Sequence, residues 1–181
     1  GRIQETDSSV PEKRGGYFHY ERYEQGKQYP ILCRKKGSLD APEEILLDQN
    51  QLAEGKSFCS VSGFETSPDG SKLAYLLDFD GNEIYTLYIK DLASGEFYPE
   101  TIGNVLGSAY ERTGIDWAND NKTIFYITLD TTLRPNKLFR HVIDTDPKED
   151  VMILEEADEA YYLFCYKTRD DALIATYHLS T

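Results

Sequence analysis

Histidine, serine and cysteine are the side chains here that could serve as a base or a nucleophile, but their sequence contexts favour neither role. The histidines are His19, His141 and His178, and each falls within a strand-like run rich in aromatic or aliphatic residues. The sequence contains no Gly-x-Ser-x-Gly motif of the kind that presents a nucleophilic serine. We therefore predict no catalytic residue in this chain, and we expect each histidine to be a packed or surface side chain.

The three cysteines are Cys33, Cys59 and Cys165, which are far apart and lie in apolar runs. None forms a Cys-x-x-Cys pair, so we expect neither a zinc site nor a redox pair. An odd number of cysteines in buried-type positions is typical of a reducing compartment. We accordingly expect a cytoplasmic protein, and an organelle is also compatible with this pattern.

One run of oxygen ligands, Asp78–Glu83 (DFDGNE), invites comparison with a calcium-binding loop. The glycine of such a loop stands sixth and a glutamate stands twelfth, whereas Gly81 stands fourth and a strand-like run containing Leu87 and Tyr88 follows. We expect a hairpin turn here, and the same at Asp144–Pro147. No metal or other cofactor is predicted.

Adjacent carboxylates could perform acid–base chemistry only if they were buried and convergent. The pairs are Glu43–Glu44, Glu155–Glu156 and Asp158–Glu159, and all are predicted at loop edges. Solvated charge is the simpler interpretation. The alternative is a collective role, in which several carboxylates at one mouth of the fold attract cationic peptides through their summed field.

Charge excludes two classes of partner. The 181 residues carry a formal net charge of −13, which disfavours both nucleic acid and an anionic membrane surface. The sequence also has no run of apolar residues long enough to span a bilayer. Neither nucleic acid nor a membrane is therefore predicted as a partner.

A long-period repeat indicates the architecture that positions these residues. The segment 67–75 (SPDGSKLAY) is echoed by 118–126 (ANDNKTIFY), and its aspartates Asp69 and Asp120 are 51 residues apart (120 − 69). A polar turn that leads into an apolar strand, repeated at this period, is typical of propeller blades.

Short apolar runs separated by turns predict an all-β fold, with one helical turn at 49–55. We predict a partial β-propeller over residues 15–181, about three to three and a half blades of four-stranded antiparallel sheet, after an irregular lead-in at residues 1–14. The predicted strands are 16–23, 28–34, 44–48, 58–64, 72–77, 84–89, 115–117, 123–128, 137–143, 151–155, 161–168 and 172–178. Pro30 should lie at the start or edge of its strand, and Pro135 in a loop.

Over essentially its whole length the chain resembles the propeller of the oligopeptidase B group, within the prolyl oligopeptidase family of serine peptidases. The most specific stretch is Gly26–Gly37 (GKQYPILCRKKG). The other segments that carry the resemblance, in order, are Arg2–Ile3, Thr6–Pro11, Gly16–Tyr20, Glu44–Asn50, Ser67–Gly70 and Ile115–Asp120.

The resemblance implies a two-domain enzyme that cleaves short peptides after arginine or lysine. Its propeller caps an α/β-hydrolase domain that carries the Ser-Asp-His triad and restricts access to that domain. No triad residue can be carried over to this chain, which matches about the first half of such a propeller. Because the chain opens with Gly1 and its one methionine is Met152, we expect a piece of a longer protein whose missing partner is a C-terminal hydrolase domain.

Two functions follow from these expectations. The first is a gating segment of a serine oligopeptidase, inert by itself. The second is a non-catalytic propeller scaffold for protein–protein interaction. In either case the unfinished edge at Ala172–His178 predicts self-association of the chain.

Overall fold

The computed structural model describes residues 7–108 and 114–180, which form an almost entirely antiparallel β structure. The chain divides into two compact units, Gly1–Cys59 and Ser60–Thr181. Within the described ranges, no helix is long and apolar enough to cross a membrane.

The first unit contains one four-stranded sheet whose strands pair in chain order, the first blade. Its elements are β1 (Glu12–Arg14), β2 (Tyr17–Arg22), β3 (Ile31–Lys36), β4 (Glu43–Asp48) and the short helix α1 (Gln49–Leu52). Strand β1 corrects the last part of the predicted irregular lead-in at residues 1–14, because residues 12–14 pair with β2. Residues 1–6 of that lead-in lie outside the described residues. All three β1 residues are exposed, so no apolar alternation marks this strand in the sequence.

The start of β3 is fixed by a side chain from α1. The amide of Asn50 accepts a hydrogen bond from the backbone N–H of Tyr29 at 3.0 Å and donates to the Tyr29 carbonyl at 2.8 Å. Pro30 follows and lies just outside the strand, as expected for a residue that has no N–H to donate. The next residues, Ile31–Cys33, are buried in the core of this unit.

The second unit holds two further four-stranded blades and a hairpin. The second blade comprises β5 (Ser60–Thr66), β6 (Lys72–Asp78), β7 (Ile84–Asp91) and β8 (Ile102–Leu106). The third blade comprises β9 (Ile115–Trp117), β10 (Thr123–Leu129), β11 (Pro135–Val142) and β12 (Val151–Glu155), and the hairpin comprises β13 (Tyr161–Lys167) and β14 (Ile174–Ser180). One bridge between β8 and β10, Val105 with Thr128, links the second and third blades into an eight-stranded sheet. Two sets of four strands in this sheet, with the first blade and the hairpin, confirm the predicted partial propeller of three to three and a half blades.

Two details of this unit differ from the sequence-based prediction. Pro135 was expected in a loop but is the first residue of β11, a position where a missing N–H is tolerated. Strand β8 was not predicted. Its buried residues Ile102 and Val105 are three positions apart, and Asn104 between them has a positive φ of 60°, so the strand lacks simple alternation.

The repeated turn has the same construction in three places. Gly70, Asn121 and Asp171 take the left-handed conformation, with φ of 71°, 59° and 56°. The aspartate one residue earlier in each case accepts hydrogen bonds from within its own turn. The second-blade turn and its echo are therefore one structural motif, and a third copy lies in the β13–β14 hairpin.

Residues about one repeat apart are also bonded to each other across the second unit. The backbone N–H of Asp69 donates to Oδ1 of Asn121 at 2.9 Å, and Nδ2 of Asn119 donates to the carbonyl of Asp171 at 2.7 Å. Nε1 of Trp117 donates to the carbonyl of Glu65 at 3.0 Å. Each of these bonds spans 52 residues, one more than the 51-residue repeat, so each joins a position to the one that follows its counterpart in the neighbouring blade.

A buried arginine attaches the third blade to the segment that leads into β13. The guanidinium of Arg134 donates to Oδ2 of Asp130 at 2.9 Å, and to the carbonyls of Asp158 and Tyr161 at 3.0 and 2.8 Å. Asp130 also accepts from the hydroxyl of Thr132 at 2.7 Å. Hydrogen bonds from the Thr132 side chain first, and from the Thr132 and Arg134 backbones, outweigh burial and lower the pKa of Asp130 to about 2.

Two substitutions at Asn121 separate its two roles. Asn121→Gly keeps the left-handed backbone but removes the acceptor for Asp69, and should lower the free energy of unfolding by about 1 kcal/mol. Asn121→Ala also forces a Cβ into the left-handed region, and should cost about 1 kcal/mol more. Urea denaturation measures both values. Equal stability of Asn121→Gly and the parent chain would contradict the interblade role.

Acid should weaken the Asp130 turn. The pKa of Asp130 is about 2 in the folded state, against an ordinary value of 3.8. The ionised carboxylate therefore contributes fully to the free energy of unfolding above pH 3.8, and this contribution is lost as the pH falls through 2. Asp130→Asn should cost about 1–3 kcal/mol at pH 7 and progressively less between pH 4 and pH 2. Urea titrations across this range measure the difference. The exposed Asp40 provides the control variant Asp40→Asn, and identical pH profiles for the two variants would contradict the prediction.

Candidate functional site

The three histidines occupy different surroundings. The His19 ring on β2 lies 6.2 Å from the ring of Tyr17. Burial, followed by the positive charges of Arg14 and Arg34, lowers the pKa of His19. His178 on β14 hydrogen-bonds the carboxylate of Glu156. His141 on β11 is fully buried, and it is the histidine with the most developed polar surroundings.

His141 is the centre of a buried polar network. Its Nδ1 lies 2.7 Å from Oδ1 of Asp150, and Tyr126 on β10 donates its hydroxyl to the other oxygen of that carboxylate at 2.8 Å. On the opposite side of the ring, Nε2 lies 3.6 Å from Oε1 of Glu100. Glu100 in turn accepts the backbone N–H of Asp144 at 2.8 Å.

The charged and polar side chains of this network are almost completely shielded from solvent. The side chains of Glu100 and Asp150 are only 5% and 3% exposed, and that of His141 is 0% exposed. Burial, and then the hydrogen bond to the Asp150 carboxylate, raise the pKa of Tyr126 well above its ordinary value. Two carboxylates, an imidazole and a neutral phenol are therefore packed together out of water.

The His141–Asp150 pair has the geometry of two members of a hydrolytic triad but cannot act as one here. Nε2, the nitrogen that would take a proton from a nucleophile, has no hydrogen-bond partner among the described residues. A fully buried ring is also closed to substrate. The network is thus structural, and the sequence offered one signal for it: His141 lies between Phe139 and Ile143, which face the apolar core.

The thiols are equally unsuited to nucleophilic chemistry. Cys33, Cys59 and Cys165 are free and buried. Burial raises the pKa of all three thiols, that of Cys33 to about 11. They therefore remain protonated near neutral pH and behave as small apolar side chains.

The candidate calcium loop is a hairpin turn closed by one carboxylate. Asp78 accepts backbone N–H groups from Asp80 and Gly81 at 2.7 and 2.9 Å, and from Glu83 at 3.0 Å. Burial alone would raise the pKa of Asp78, but these hydrogen bonds outweigh it and lower the pKa. Within residues 7–108 and 114–180 no cluster of histidine, cysteine and carboxylate side chains is arranged to hold a metal ion.

The carboxylates predicted at loop edges do not converge. Glu43 and Glu44 are the first residues of β4, and Glu155 is the last residue of β12, so these carboxylates lie at strand ends next to loops. Their side chains contact different partners: Tyr20 and Arg22 for Glu43, Arg34 for Glu44, Lys137 for Glu155, and His178 for Glu156. This arrangement suits cross-strand pairing and gives no acid–base site.

The remaining candidate for a functional role is a wall formed by the first strands β5, β9 and β13. Strand β9 packs beside β5 on one side and beside β13 on the other. Trp117 of β9 is bonded to β5 through Glu65, and Ser108 hydrogen-bonds Ser62 of β5. Such a wall of first strands lines the central passage of a propeller.

The chain matches a family of known proteins over its full length. The model of the prolyl oligopeptidase N-terminal β-propeller domain matches residues 1–181. The chain is 38% identical to Protease 2 of Moraxella lacunata, over 99% of this chain and 26% of that protein. It is 33% identical to dipeptidyl aminopeptidase BI of Pseudoxanthomonas mexicana, over 96% of this chain and 25% of that protein.

Solved structures agree with these matches. Oligopeptidase B from Leishmania major superposes with a TM-score of 0.89 at 34% identity, over 98% of this chain and 24% of that one. Oligopeptidase B from Trypanosoma brucei, in a closed form with covalently bound antipain, gives a TM-score of 0.85 at 30% identity, over 98% and 24% of the two chains. This chain spans about a quarter of the length of these relatives, and it belongs to the N-terminal β-propeller family of the prolyl oligopeptidases.

Proposed function

We propose that this chain is the gating propeller segment of a serine oligopeptidase and acts together with an α/β-hydrolase domain that carries the catalytic triad. The observation that carries the proposal is the superposition on the Leishmania major enzyme, with a TM-score of 0.89 over 98% of this chain. The absence of a Gly-x-Ser-x-Gly motif and the closed surroundings of His141 are consistent with this division of labour.

The proposed mechanism is exclusion of folded proteins by a wall of strands whose blades are held together by hydrogen bonds. Hydrogen bonds at a 52-residue spacing join neighbouring blades of the second unit. A passage bounded by such a wall admits a short or extended peptide and rejects a folded protein. Closing the two domains would also remove water from the catalytic groups.

Basic peptides are the proposed substrates. The formal net charge of −13 favours the approach of cationic ligands, because the summed field of an acidic surface raises their local concentration. We also propose a reducing compartment such as the cytoplasm, with which three free and buried cysteines are compatible.

The chain alone should not hydrolyse an arginyl ester or amide. A hybrid in which it replaces the matching segment of Protease 2 from Moraxella lacunata should hydrolyse an arginyl amide, with the unaltered relative as the positive control. Cleavage by the isolated chain that a single serine substitution in it abolishes would contradict the proposal. So would a folded hybrid that cleaves no arginyl amide.

Gating is tested in the same hybrid by substrate size. A short arginyl peptide should be cleaved, and a folded protein with exposed arginines should resist. Equal rates on the peptide and the folded protein would contradict the exclusion mechanism. A reference digestion with trypsin establishes that the arginines of the folded protein are accessible.

We further propose that the isolated chain self-associates through the β13–β14 hairpin. Strand β14 pairs with β13 on one side, and Leu173 and Leu179 beside and within it are 66% and 36% exposed. An uncovered strand edge with apolar side chains favours pairing with another copy. Light scattering should show a mass that rises with concentration. The variant Leu173→Lys should reduce this association. A parent chain that remains monomeric at all concentrations would contradict this part of the proposal.

A further inference from the structure

The buried network around His141 joins two blades. Glu100 lies between β7 and β8 of the second blade, whereas Tyr126, His141 and Asp150 belong to the third blade. The apolar residues around it also come from both blades, and they form one core cluster that includes Ile89 from β7 and Ile143. The network is therefore the polar part of an otherwise apolar blade interface.

The number of protons on the His141 ring determines whether Nε2 faces Glu100 as a hydrogen-bond donor or as an acceptor. A carboxylate only accepts hydrogen bonds, so Nδ1 of His141 must carry the proton shared with Asp150. If the ring is neutral, Nε2 then presents a lone pair to the Glu100 carboxylate 3.6 Å away, and two acceptors face each other. A second proton on Nε2 converts this contact into a charge attraction between the blades.

The charged groups that face the ring are carboxylates. Asp150 and Glu100 face the ring from its two sides. Tyr126 contributes a hydroxyl that is already donated to Asp150. Beyond Glu100, the carboxylates of Asp144 and Asp91 act on the neighbouring Tyr98, whose pKa is raised by burial first and then by these carboxylates and Glu100.

We propose that Glu100, His141 and Asp150 form a proton-dependent clasp between the second and third blades. With His141 protonated on both nitrogens, the ring bridges the two carboxylates and holds the blades together. When Nε2 loses its proton, Glu100 faces a lone pair and the blade interface loosens. This device depends on the described contacts and not on the proposed peptidase activity.

Hydrogen exchange tests the clasp directly in the full chain. After correction for the intrinsic pH dependence of exchange, the amides of β8 and β10 should open at least about tenfold more often at pH 8.5 than at pH 6, whereas β2 and β3 of the first unit should not change. Equal opening of β8 and β10 at the two pH values would overturn the proposal.

Glu100→Gln distinguishes the clasp from simple packing. The glutamine amide can donate to the neutral Nε2, so this variant should keep β8 and β10 protected at pH 8.5 and lose the pH dependence. A role in packing alone predicts weaker protection at both pH values, and that result would overturn the proposal. His178→Gln is the matched control, because His178 also pairs with a carboxylate but on the surface strand β14, and it should behave as the parent.

Histidine NMR provides a readout that does not depend on a variant's folding. In the parent chain labelled with ¹⁵N at its histidines, both ring nitrogens of His141 should carry protons at pH 6, and Nε2 should lose its proton before pH 8.5. A His141 ring that stays neutral at pH 6 would overturn the proposal, as would one that stays protonated at pH 8.5 while the blades loosen.

Discussion

Burial of apolar blade faces against each other is the constraint on which the second unit depends. Ala74 and Leu87 of the second blade pack in one cluster with Ile115, Trp117 and Ile124 of the third blade. A four-stranded sheet of this size has two faces and cannot bury both by itself. The neighbouring blade therefore completes the core, and the interblade hydrogen bonds fix the register in which it does so.

This dependence links the fold to the proposed gate. A wall built from β5, β9 and β13 keeps its shape only while the blades remain in contact. The bonds from Asn121 and Trp117 join the second and third blades, and Arg134 holds the connection to the next strand pair. These contacts between blades are in keeping with the proposed role of a support and a filter.

The sequence predicted the strands where alternation and turn chemistry agree. The repeated turn at Asp69 and Asp120 indicated the blades, because aspartate capping and left-handed glycine or asparagine leave a clear pattern. Strand β1 was missed because exposed polar residues form it, and β8 because Asn104 interrupts its alternation. The His141 network was missed because only tertiary packing shows that Glu100, from the second blade, and Asp150, after the β11 strand, lie on opposite sides of the ring. Only the placement of a histidine among core residues marked it.

The second and third blades should fold as one cooperative unit. Trp117 is the only tryptophan and is buried in the shared core, so its fluorescence reports on the interface. The most direct measurement compares the urea midpoint of this fluorescence with the midpoint for loss of amide protection in β6 and β7. If the two blades unfold together, the two midpoints should coincide. Loss of protection in β6 and β7 at a clearly different urea concentration would contradict this prediction.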